Sequence, residues 1–418
     1  MVDRSVPAYP LPPDRSRKLV RRAVVISLAA AATVPVMAMP AFAASGFTSG
    51  DLVVYRVGTG AVALSSVSTA VTLDEYLPAV QNQSAPAFSL AMPIAIGTGS
   101  TPNPLTASGS ATSEGGLTLS TDGTTLLVPG YDAAPGVSGI SGTTGANDPR
   151  EVAEVDAAGD INTTTTFGAT AFSGNNIRSA TSTNGSVVWA GGAGGTEATS
   201  GGVWYTTEGA STSTMLIGGN YRWVNIFNSQ LYASSASATA PAVIGVNQIG
   251  SGLPTTTGQT ATTLNGVDSS SSGTPYGYLL LSEGGGGINT AYVADTTVGI
   301  EKYSLIAGTW TAEGSIALPG ITGLTGAVSG STVTLYATDP TNLVQASDPV
   351  GTGTLSGTLT TLATAATNEA FRGVAFAPSG PSAQTPEAPL AIALPLLALA
   401  VVGSSATWVT LRRRRRTS

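Results

Sequence analysis

Three short segments decide the fold, because they share one pattern: Ile177-Arg178-Ser179-Ala180, Tyr221-Arg222-Trp223-Val224 and Phe371-Arg372-Gly373-Val374. Each contains an apolar residue, then an arginine, then a run of small or β-branched residues, a pattern that predicts a short buried strand. Ile321-Thr322-Gly323-Leu324 fits with threonine in place of arginine, and Gly115-Gly116-Leu117-Thr118 fits more loosely. The recurrence of one segment along the chain indicates a repeat architecture.

A second strand is predicted about ten to fourteen residues after each segment, and it ends in an aromatic residue followed by small ones. Turn-forming pairs lie between the two strands, as a hairpin requires. The aromatic residues are Trp189, Tyr232, Tyr292 and Tyr336; the turn pairs are Asp122-Gly123, Asn184-Gly185, Asn228-Ser229 and Ser329-Gly330. A third strand is predicted at 201–205, 243–247 and 299–304. The aromatic residues are expected to pack between neighbouring units rather than to bind a ligand.

The repeated segments begin near residues 116, 178, 222, 278, 322 and 372. A blade of three or four short antiparallel strands needs about 40 to 50 residues, which is the period of β-propellers. A β-sandwich would also show short strands, but it would not repeat one motif. The sequence therefore predicts an all-β fold, a β-propeller of six or seven blades.

The two ends of the repeat region are predicted to complete each other. The segment 371–378 has the pattern of an inner strand with no outer partners after it, because a proline-rich stretch follows. The segment 51–57 has the pattern of an outer strand with no inner strand before it. Pairing of these N- and C-terminal strands would close the propeller and protect two strand edges that are otherwise open.

The composition excludes several chemistries. The chain has no cysteine and no histidine, so it offers no disulfide, no Ser–His–Asp or Cys–His catalysis and no histidine or thiolate metal ligand. Only 10% of residues are charged, and the segment 44–389 holds six basic residues against 22 acidic ones, a formal charge of about −16. Such a surface repels phosphate backbones, so nucleic acid is not an expected partner.

Both ends carry targeting patterns. Residues 1–43 are predicted to be a signal peptide, with an arginine-rich start, an apolar stretch from Ala23, and cleavage after Ala43 in Ala41-Phe42-Ala43. Residues 390–411 carry no charge, and as a helix they would extend about 33 Å, enough to cross a bilayer. This transmembrane helix is followed by the basic tail 412–418, which the positive-inside rule places in the cytoplasm. We therefore expect a bacterial cell-surface protein, extracytoplasmic and anchored to the membrane by this single C-terminal helix.

The linker 379–389 contains Pro386-Glu387-Ala388-Pro389. Together with the apolar segment and the arginine cluster, it resembles the C-terminal sorting signals of PEP-CTERM type. The exterior domain, 44–378, resembles a family of secreted bacterial propeller-like β-repeat proteins in three segments, 46–57, 72–76 and 289–305. This resemblance implies a propeller-like fold and an extracellular location, and it implies no established activity.

Candidate binding residues come from the repeats and from loops. Arg178, Arg222 and Arg372 occupy equivalent repeat positions, so they would lie at similar depth around a central channel. They would either hold an anionic ligand or pair with acids of neighbouring blades and lock the blades together. Glu283 and Asp295 are acidic loop residues that are candidates for binding a ligand.

Two carboxylates are enough for glycoside hydrolysis, and the candidate acids are Asp132, Glu283, Asp295 and Asp339. None lies in a recognisable catalytic motif. The densest acidic stretch, 151–160, lacks the spacing of a calcium loop, so no metal site is assigned, although the oxygen-rich composition leaves Ca²⁺ open as a cofactor. The expected function is a surface-anchored binding or scaffold module for a glycan or a protein; the alternative is a carbohydrate-active enzyme, a glycoside hydrolase or lyase with paired carboxylates.

Overall fold

The structure is a computed structural model that describes residues 46–95, 103–284 and 286–380. The predicted signal peptide with Ala43, the predicted transmembrane helix and the basic tail lie outside the described residues. Within the described ranges, no helix is long and apolar enough to cross a membrane. The regular structure of this part of the chain consists of β-strands and one short 3₁₀ helix, Ile140–Gly142.

The first third of the described chain forms eight strands. They are β1 (Leu52–Val57), β2 (Ser68–Tyr76), β3 (Phe88–Ala91), β4 (Leu105–Ser108), β5 (Thr118–Leu119), β6 (Thr125–Asp132), β7 (Arg150–Asp156) and β8 (Ile161–Thr166).

Seventeen further strands follow in the described residues. They are β9 (Ile177–Ser182), β10 (Val187–Gly192), β11 (Gly202–Thr207), β12 (Thr214–Ile217), β13 (Val224–Phe227), β14 (Gln230–Ser235), β15 (Gly245–Ile249), β16 (Ala261–Thr263), β17 (Pro275–Leu281), β18 (Thr290–Asp295), β19 (Gly299–Ile306), β20 (Thr309–Ala317), β21 (Gly323–Ser329), β22 (Thr332–Thr338), β23 (Asn342–Pro349), β24 (Thr360–Thr364) and β25 (Ala370–Phe376).

The strands form four separate four-stranded antiparallel sheets and one larger sheet. The four are β9–β12, β13–β16, β17–β20 and β21–β24, each paired in chain order. The larger, nine-stranded sheet contains two four-strand sets, β25-β1-β2-β3 and β5-β6-β7-β8, joined by β4 between β2 and β6. This is an all-β, propeller-like fold, as the repeats predict.

The predicted closure by the two terminal strands is confirmed. β1 pairs with β25 antiparallel, with Leu52 opposite Phe376 and Val57 opposite Ala370. An ion pair between Arg56 and Glu369, 2.7 Å between nitrogen and oxygen, supports the same seam. Strands from opposite ends of the chain therefore share one sheet, and neither is left with an open edge at this seam.

Neighbouring sets contact one another in a closed circle, through their first strands at every junction but one, where the second strand β14 contacts β17. β5 contacts β9, β9 contacts β13, β17 contacts both β14 and β21, β21 contacts β25, and β25 contacts β5. At each junction a backbone carbonyl accepts a hydrogen bond from the neighbouring set. These carbonyls belong to Gly115, Arg178, Arg222, Tyr276, Thr322 and Arg372. The arginine, or Thr322 in its place, therefore marks the point where neighbouring sets join, whereas in the loosely matching segment 115–118 the junction carbonyl lies one residue earlier, at Gly115.

Glycine follows that junction position where the backbones come closest. A Cβ atom on Gly373 would lie 2.5 Å from the carbonyl oxygen of Gly115, and one on Gly277 would lie 2.8 Å from that of Thr322. Both distances are shorter than non-bonded atoms tolerate, so a side chain at either position would push neighbouring strands apart. The small residue in the repeated motif thus has a packing function.

The aromatic residue of each second strand packs against the next set, as predicted. Trp189 shares a buried cluster with Val224 and Leu231 of the following sheet, and Tyr336 shares one with Phe371. The predicted hairpin turn at Asn228-Ser229 is present, and both residues have positive φ angles, 47° and 59°. These aromatic side chains bury apolar surface between neighbouring sheets, and this burial stabilises the closed arrangement of the sheets without any disulfide.

Candidate functional site

A pocket of about 430 Å³ opens between the sheet β17–β20 and the loop that leads into this sheet from β16. Its walls are the loop from β16 to β17, the turn from β18 to β19, and the exposed side of β19. Three carboxylates face it, those of Asp268, Asp295 and Glu301. Serine hydroxyls from the first loop and the ring of Tyr303 complete the lining.

Asp295 is held by the turn that it begins. It is the last residue of β18, it pairs with Pro275 of β17 and Gly299 of β19, and its side chain is 1% exposed. Its carboxylate accepts hydrogen bonds of 2.6–2.9 Å from the backbone and hydroxyl groups of Thr274 and Thr297 and from the backbone of Val298. Four of these five bonds reach Oδ1, so Oδ2 accepts only the backbone N–H of Thr274.

Asp268 reaches the same place from the loop before β17. Its backbone is left-handed, with φ of 43°, a conformation that aspartate adopts more readily than most residues. The side chain is 6% exposed, and its Oδ2 has no hydrogen-bond donor among the described residues. Gly273 lies directly behind it: a Cβ there would collide with the Asp268 carboxylate and lie 2.6 Å from its backbone oxygen.

Glu301 comes from the middle of β19. It lies two residues before Tyr303 on the same strand, so both side chains point to the same side of the sheet. The Tyr303 hydroxyl donates a 2.8 Å hydrogen bond to Oε2 of Glu301. One oxygen of this carboxylate is therefore held, and the other remains available to the pocket.

The three carboxylates lie close enough to perturb one another. One oxygen of each lies within 4.8 Å of the other two. Burial, and then the neighbouring charges of Asp295 and Glu301, raise the pKa of Asp268 to about 8. Burial also acts to raise the pKa of Asp295, but its hydrogen bonds from Thr297 and Thr274 outweigh burial and bring the pKa below the ordinary value. The pocket therefore holds one acid that prefers to be neutral beside one that prefers to be ionised.

The Arg222 guanidinium lies near this acidic pocket. It stacks on the ring of Tyr276, with 4.1 Å between the guanidinium carbon and the ring centroid. Burial lowers the pKa of Arg222, while the charges of Tyr276, Asp295 and Asp268 act to raise it. Among the described residues its guanidinium makes no ion pair within 4.0 Å. The charge of Arg222 and the charges of Asp268 and Asp295 thus act on one another.

The other two repeat arginines, Arg178 and Arg372, form hydrogen bonds with neutral groups and not with acidic side chains. Arg178 donates to the side chain of Asn220 and, at 3.0 Å, to the backbone oxygen of Tyr221 in the next set. Arg372 is 2% exposed and donates to the backbone oxygens of Phe371 and Gly109. In the described part of the chain, neither forms the expected ion pair with an acid. Neutral amide and carbonyl oxygens take that place.

Glu283 lies away from Asp295. It follows the last residue of β17, whereas Asp295 pairs with the first residue of that strand, so the two acids lie at opposite ends of the strand. Oε2 of Glu283 accepts the backbone N–H of Gly351 at 2.7 Å. These two candidates cannot form one site.

The remaining candidate acids have local structural contacts. Asp339 accepts hydrogen bonds from the backbone of Thr341 and Asn342, so it caps the turn after β22 much as Asp295 caps the turn after β18. Asp132 ends β6 and pairs with Leu105. In the stretch 151–160, Glu154 accepts a 2.8 Å hydrogen bond from Thr165, and Asp156 caps its own turn. Among the described residues, Asp268, Asp295 and Glu301 are the one group of three or more acidic side chains close enough together to bind a single metal ion.

The sequence patterns indicated Asp295 as a candidate, but not Asp268 or Glu301. Asp268 precedes a serine-rich run that ends at Gly273, which has the composition of an ordinary linker. The pairing of the next hairpin could have indicated Asp268. Because the strands are antiparallel, β17 starts beside the end of β18, and the loop before β17 therefore lies close to Asp295. Glu301 lies in the predicted strand 299–304, but the sequence pattern did not indicate on which side of the sheet its side chain lies.

Comparisons with known proteins support no family assignment. No protein-family model matches the chain, and no curated protein matches it. Solved structures similar to this chain include a protein assigned as a 6-phosphogluconolactonase from Bacteroides fragilis, 14% identical with a TM-score of 0.42, covering 75% of this chain and 82% of that one.

Two further structures are less similar. A gluconolactonase from Xanthomonas campestris is 13% identical with a TM-score of 0.34, covering 74% of this chain and 90% of that one. A puromycin hydrolase is 15% identical with a TM-score of 0.33, covering 75% of this chain and 54% of that one. At these values no activity transfers to this chain, and the fold assignment rests on its own strand pairing.

Proposed function

We propose that this protein is a cell-surface binding module that recognises a glycan in the acidic pocket. The observation that carries the proposal is the convergence of Asp268, Asp295 and Glu301 with serine hydroxyls and one tyrosine ring around a space of about 430 Å³. Pockets of about 300–1,000 Å³ accommodate small-molecule ligands, so one or two sugar rings match this volume.

The chemistry of the lining suits a polyhydroxylated ligand. Carboxylates accept hydrogen bonds from sugar hydroxyls, and these charge-assisted bonds are stronger than neutral ones. Oε1 of Glu301 and Oδ2 of Asp268 have lone pairs that no donor among the described residues uses. The half-apolar Tyr303 ring offers a surface on which a sugar face can pack. Polar groups that converge without partners inside a pocket are what a hydrogen-bonding ligand would satisfy.

The proposed location follows from the two ends of the sequence. We propose removal of residues 1–43 on export, retention by the helix 390–411, and a cytoplasmic tail at 412–418. The resemblance to secreted β-repeat proteins and to PEP-CTERM-type tails supports this arrangement. The pocket would then face the medium, where surface glycans are available.

We also propose that the propeller has six blades. The four separate sheets count as four, and the sets β25-β1-β2-β3 and β5-β6-β7-β8 of the larger sheet count as two more. Six junction carbonyls, one per set, support this count. The first blade is then the one completed by strands from both ends of the chain.

The test is retention of glycans on an array by the full-length protein in detergent, with Glu301→Gln as the pocket variant. Glutamine keeps an acceptor for the Tyr303 hydroxyl but removes the charge, so we expect at least tenfold weaker retention. Glu208→Gln is the matched control, because Glu208 is an exposed acid on another sheet that bonds Asn162. The proposal would be refuted if Glu301→Gln retained every glycan as strongly as the parent does, or if the parent retained no glycan at all.

A second candidate function, glycoside hydrolysis, is favoured by the contrast between Asp268 and Asp295. One is buried without a donor and the other accepts five hydrogen bonds, and retaining glycosidases use two carboxyl groups about 5–5.5 Å apart in unlike environments. Release of new reducing ends from a retained glycan, abolished in Asp268→Asn, would favour the enzyme. Retention of the intact glycan would favour the binding module.

A further inference from the structure

We propose that the pocket binds a divalent cation of the calcium class, coordinated by Asp268, Asp295 and Glu301. Cation binding stands on the geometry of these three side chains. Its role in holding a sugar, by coordinating two hydroxyl groups of the ligand, rests on the proposed glycan-binding function.

The spacing of the oxygens fits one ion. Calcium takes oxygen ligands at about 2.3–2.6 Å, so two ligands of the same ion lie at most about 5 Å apart. One oxygen from each of the three carboxylates lies within 4.8 Å of the other two. Small movements of the side chains are therefore enough for a single ion between them to bond to all three oxygens.

A second, independent observation points to a ligand. Asp268 is 94% buried, and its Oδ2 has no hydrogen-bond donor among the described residues, although it lines the pocket. A buried carboxylate oxygen without a donor is unfavourable, and each of two more carboxylates has an oxygen within 4.8 Å of this side chain. A cation supplies the missing partner and offsets the repulsion among the three acids.

The other two carboxylates leave one oxygen each for the ion. In Asp295, Oδ1 is occupied by four hydrogen bonds while Oδ2 accepts one. In Glu301, Tyr303 occupies Oε2 and leaves Oε1. Hydrogen bonds thus orient both side chains, and each keeps one oxygen with lone pairs that an ion can use.

The donor set selects the class of metal. All three ligands are hard oxygens, and the chain has no histidine or cysteine that would favour zinc or copper. The pocket is roomy, at about 430 Å³, so water and sugar hydroxyls can complete a coordination number of six to eight. Magnesium requires a tighter octahedron and gives up its water reluctantly, so it fits this open site less well.

The alternative is that a proton, shared between Asp268 and Asp295, is all that the cluster holds. The test separates the two. Full-length protein in detergent is treated with EGTA, exchanged into buffer without chelator, and titrated with CaCl₂ by calorimetry, with Tb³⁺ luminescence as a second reading. Tyr303 bonds Glu301 directly, so it lies close enough to sensitise a bound Tb³⁺ ion.

We expect one Ca²⁺ per chain, with a Kd in the range of extracellular calcium modules, roughly 10⁻⁴–10⁻³ M, and weaker Mg²⁺ binding. Asp268→Asn and Glu301→Gln should each weaken binding at least tenfold. Glu154→Gln is the matched control, because Glu154 is also buried with one oxygen unpaired, but in a different sheet. Circular dichroism checks that each variant is folded.

Absence of calcium binding to the parent, or equal affinity in the parent and in a folded Asp268→Asn variant, would overturn the cation site. Calcium binding with no retention of any glycan would instead refute the proposed function and leave the cation site intact. Glycan retention that EGTA does not reduce would show that the cation has no part in holding the sugar.

Discussion

The stability of the protein should fall as the pH rises from 5 to 8, and Glu114 should account for a definable share of that fall. Glu114 is 4% exposed and lies just before β5, beside the junction with β25. Its carboxyl accepts hydrogen bonds from the Tyr131 hydroxyl at 2.7 Å and from the Ser108 backbone at 2.8 Å. Burial raises the pKa of Glu114 to about 7, against the lowering effect of these bonds and of the Arg372 charge.

The sign of the effect follows from proton binding. A group whose pKa is raised on folding binds its proton more tightly in the folded state, so its contribution is fully present below the unfolded pKa and is lost as the pH passes the folded value. With values near 4.5 and 7, Glu114 should contribute about 2–3 kcal/mol at pH 5 and almost nothing at pH 8. The ionisable groups whose charges couple to it are Arg372, Arg150, Arg178, Tyr55 and Tyr131.

Urea unfolding at pH 5 and pH 8, followed by tryptophan fluorescence, measures the effect in the parent and in Glu114→Gln. Glutamine keeps the hydrogen-bond acceptor and cannot ionise, so the difference in unfolding free energy between the two pH values should shrink by about 2–3 kcal/mol. Other buried acids such as Glu154, whose burial raises its pKa to about 8, act in the same direction in both proteins and therefore cancel. An identical pH dependence in the parent and in Glu114→Gln would show that Glu114 does not contribute to it.

Three further predictions concern the fold and its processing. Gly373→Ala should lower the unfolding free energy by about 2–4 kcal/mol, since its Cβ would lie 2.5 Å from the Gly115 oxygen. The control Gly142→Ala, at a position with open space, should change the unfolding free energy by less than about 1 kcal/mol. Equal melting temperatures of the two variants would argue against the close junction. Arg178→Ala should destabilise more than Arg222→Ala, because Arg178 bonds Asn220 and Tyr221 while Arg222 only stacks on Tyr276; thermal melts that rank them the other way would contradict this. N-terminal sequencing of exported protein should begin at Ala44, and a start at Met1 would exclude the proposed cleavage.

The repeat units and their closure were predictable because their signals are local. Phe371-Arg372-Gly373-Val374 carries the small residue that the junction needs, and the aromatic residues at Trp189 and Tyr336 mark where the next sheet packs. Closure could be inferred because each end of the repeat region lacks the strands that the other supplies. Such patterns are readable since each strand shows its buried face in its own residues.

The joining of two four-strand sets into a nine-stranded sheet was not predictable. β4 pairs with β2 on one side and β6 on the other, and its sequence, Leu105–Ser108, shows no feature that selects these partners. β5 is only two residues long and has little pattern of its own. Pairings of this kind depend on contacts between distant segments, which a local pattern does not encode.

The candidate site was predictable in only one of its three acids. Asp295 follows the repeated aromatic motif and was recognised as a loop acid, but Asp339 at the corresponding place in the next sheet shows that this position first serves to cap a turn. What makes Asp295 different is its distance from Asp268 and Glu301, a property of three-dimensional packing. The repeat arginines lie at the junctions between sheets, where Arg178 and Arg372 donate to amide and carbonyl oxygens instead of the acids that the sequence analysis offered as partners.

The most direct test of the account is a crystal structure of the protein grown with calcium and the glycan that the array retains most strongly. We expect an ion bonded at about 2.3–2.6 Å to Asp268, Asp295 and Glu301, with sugar hydroxyls completing its coordination and a sugar face near Tyr303. A glycan bound elsewhere on the surface, with only water between the three carboxylates, would contradict it.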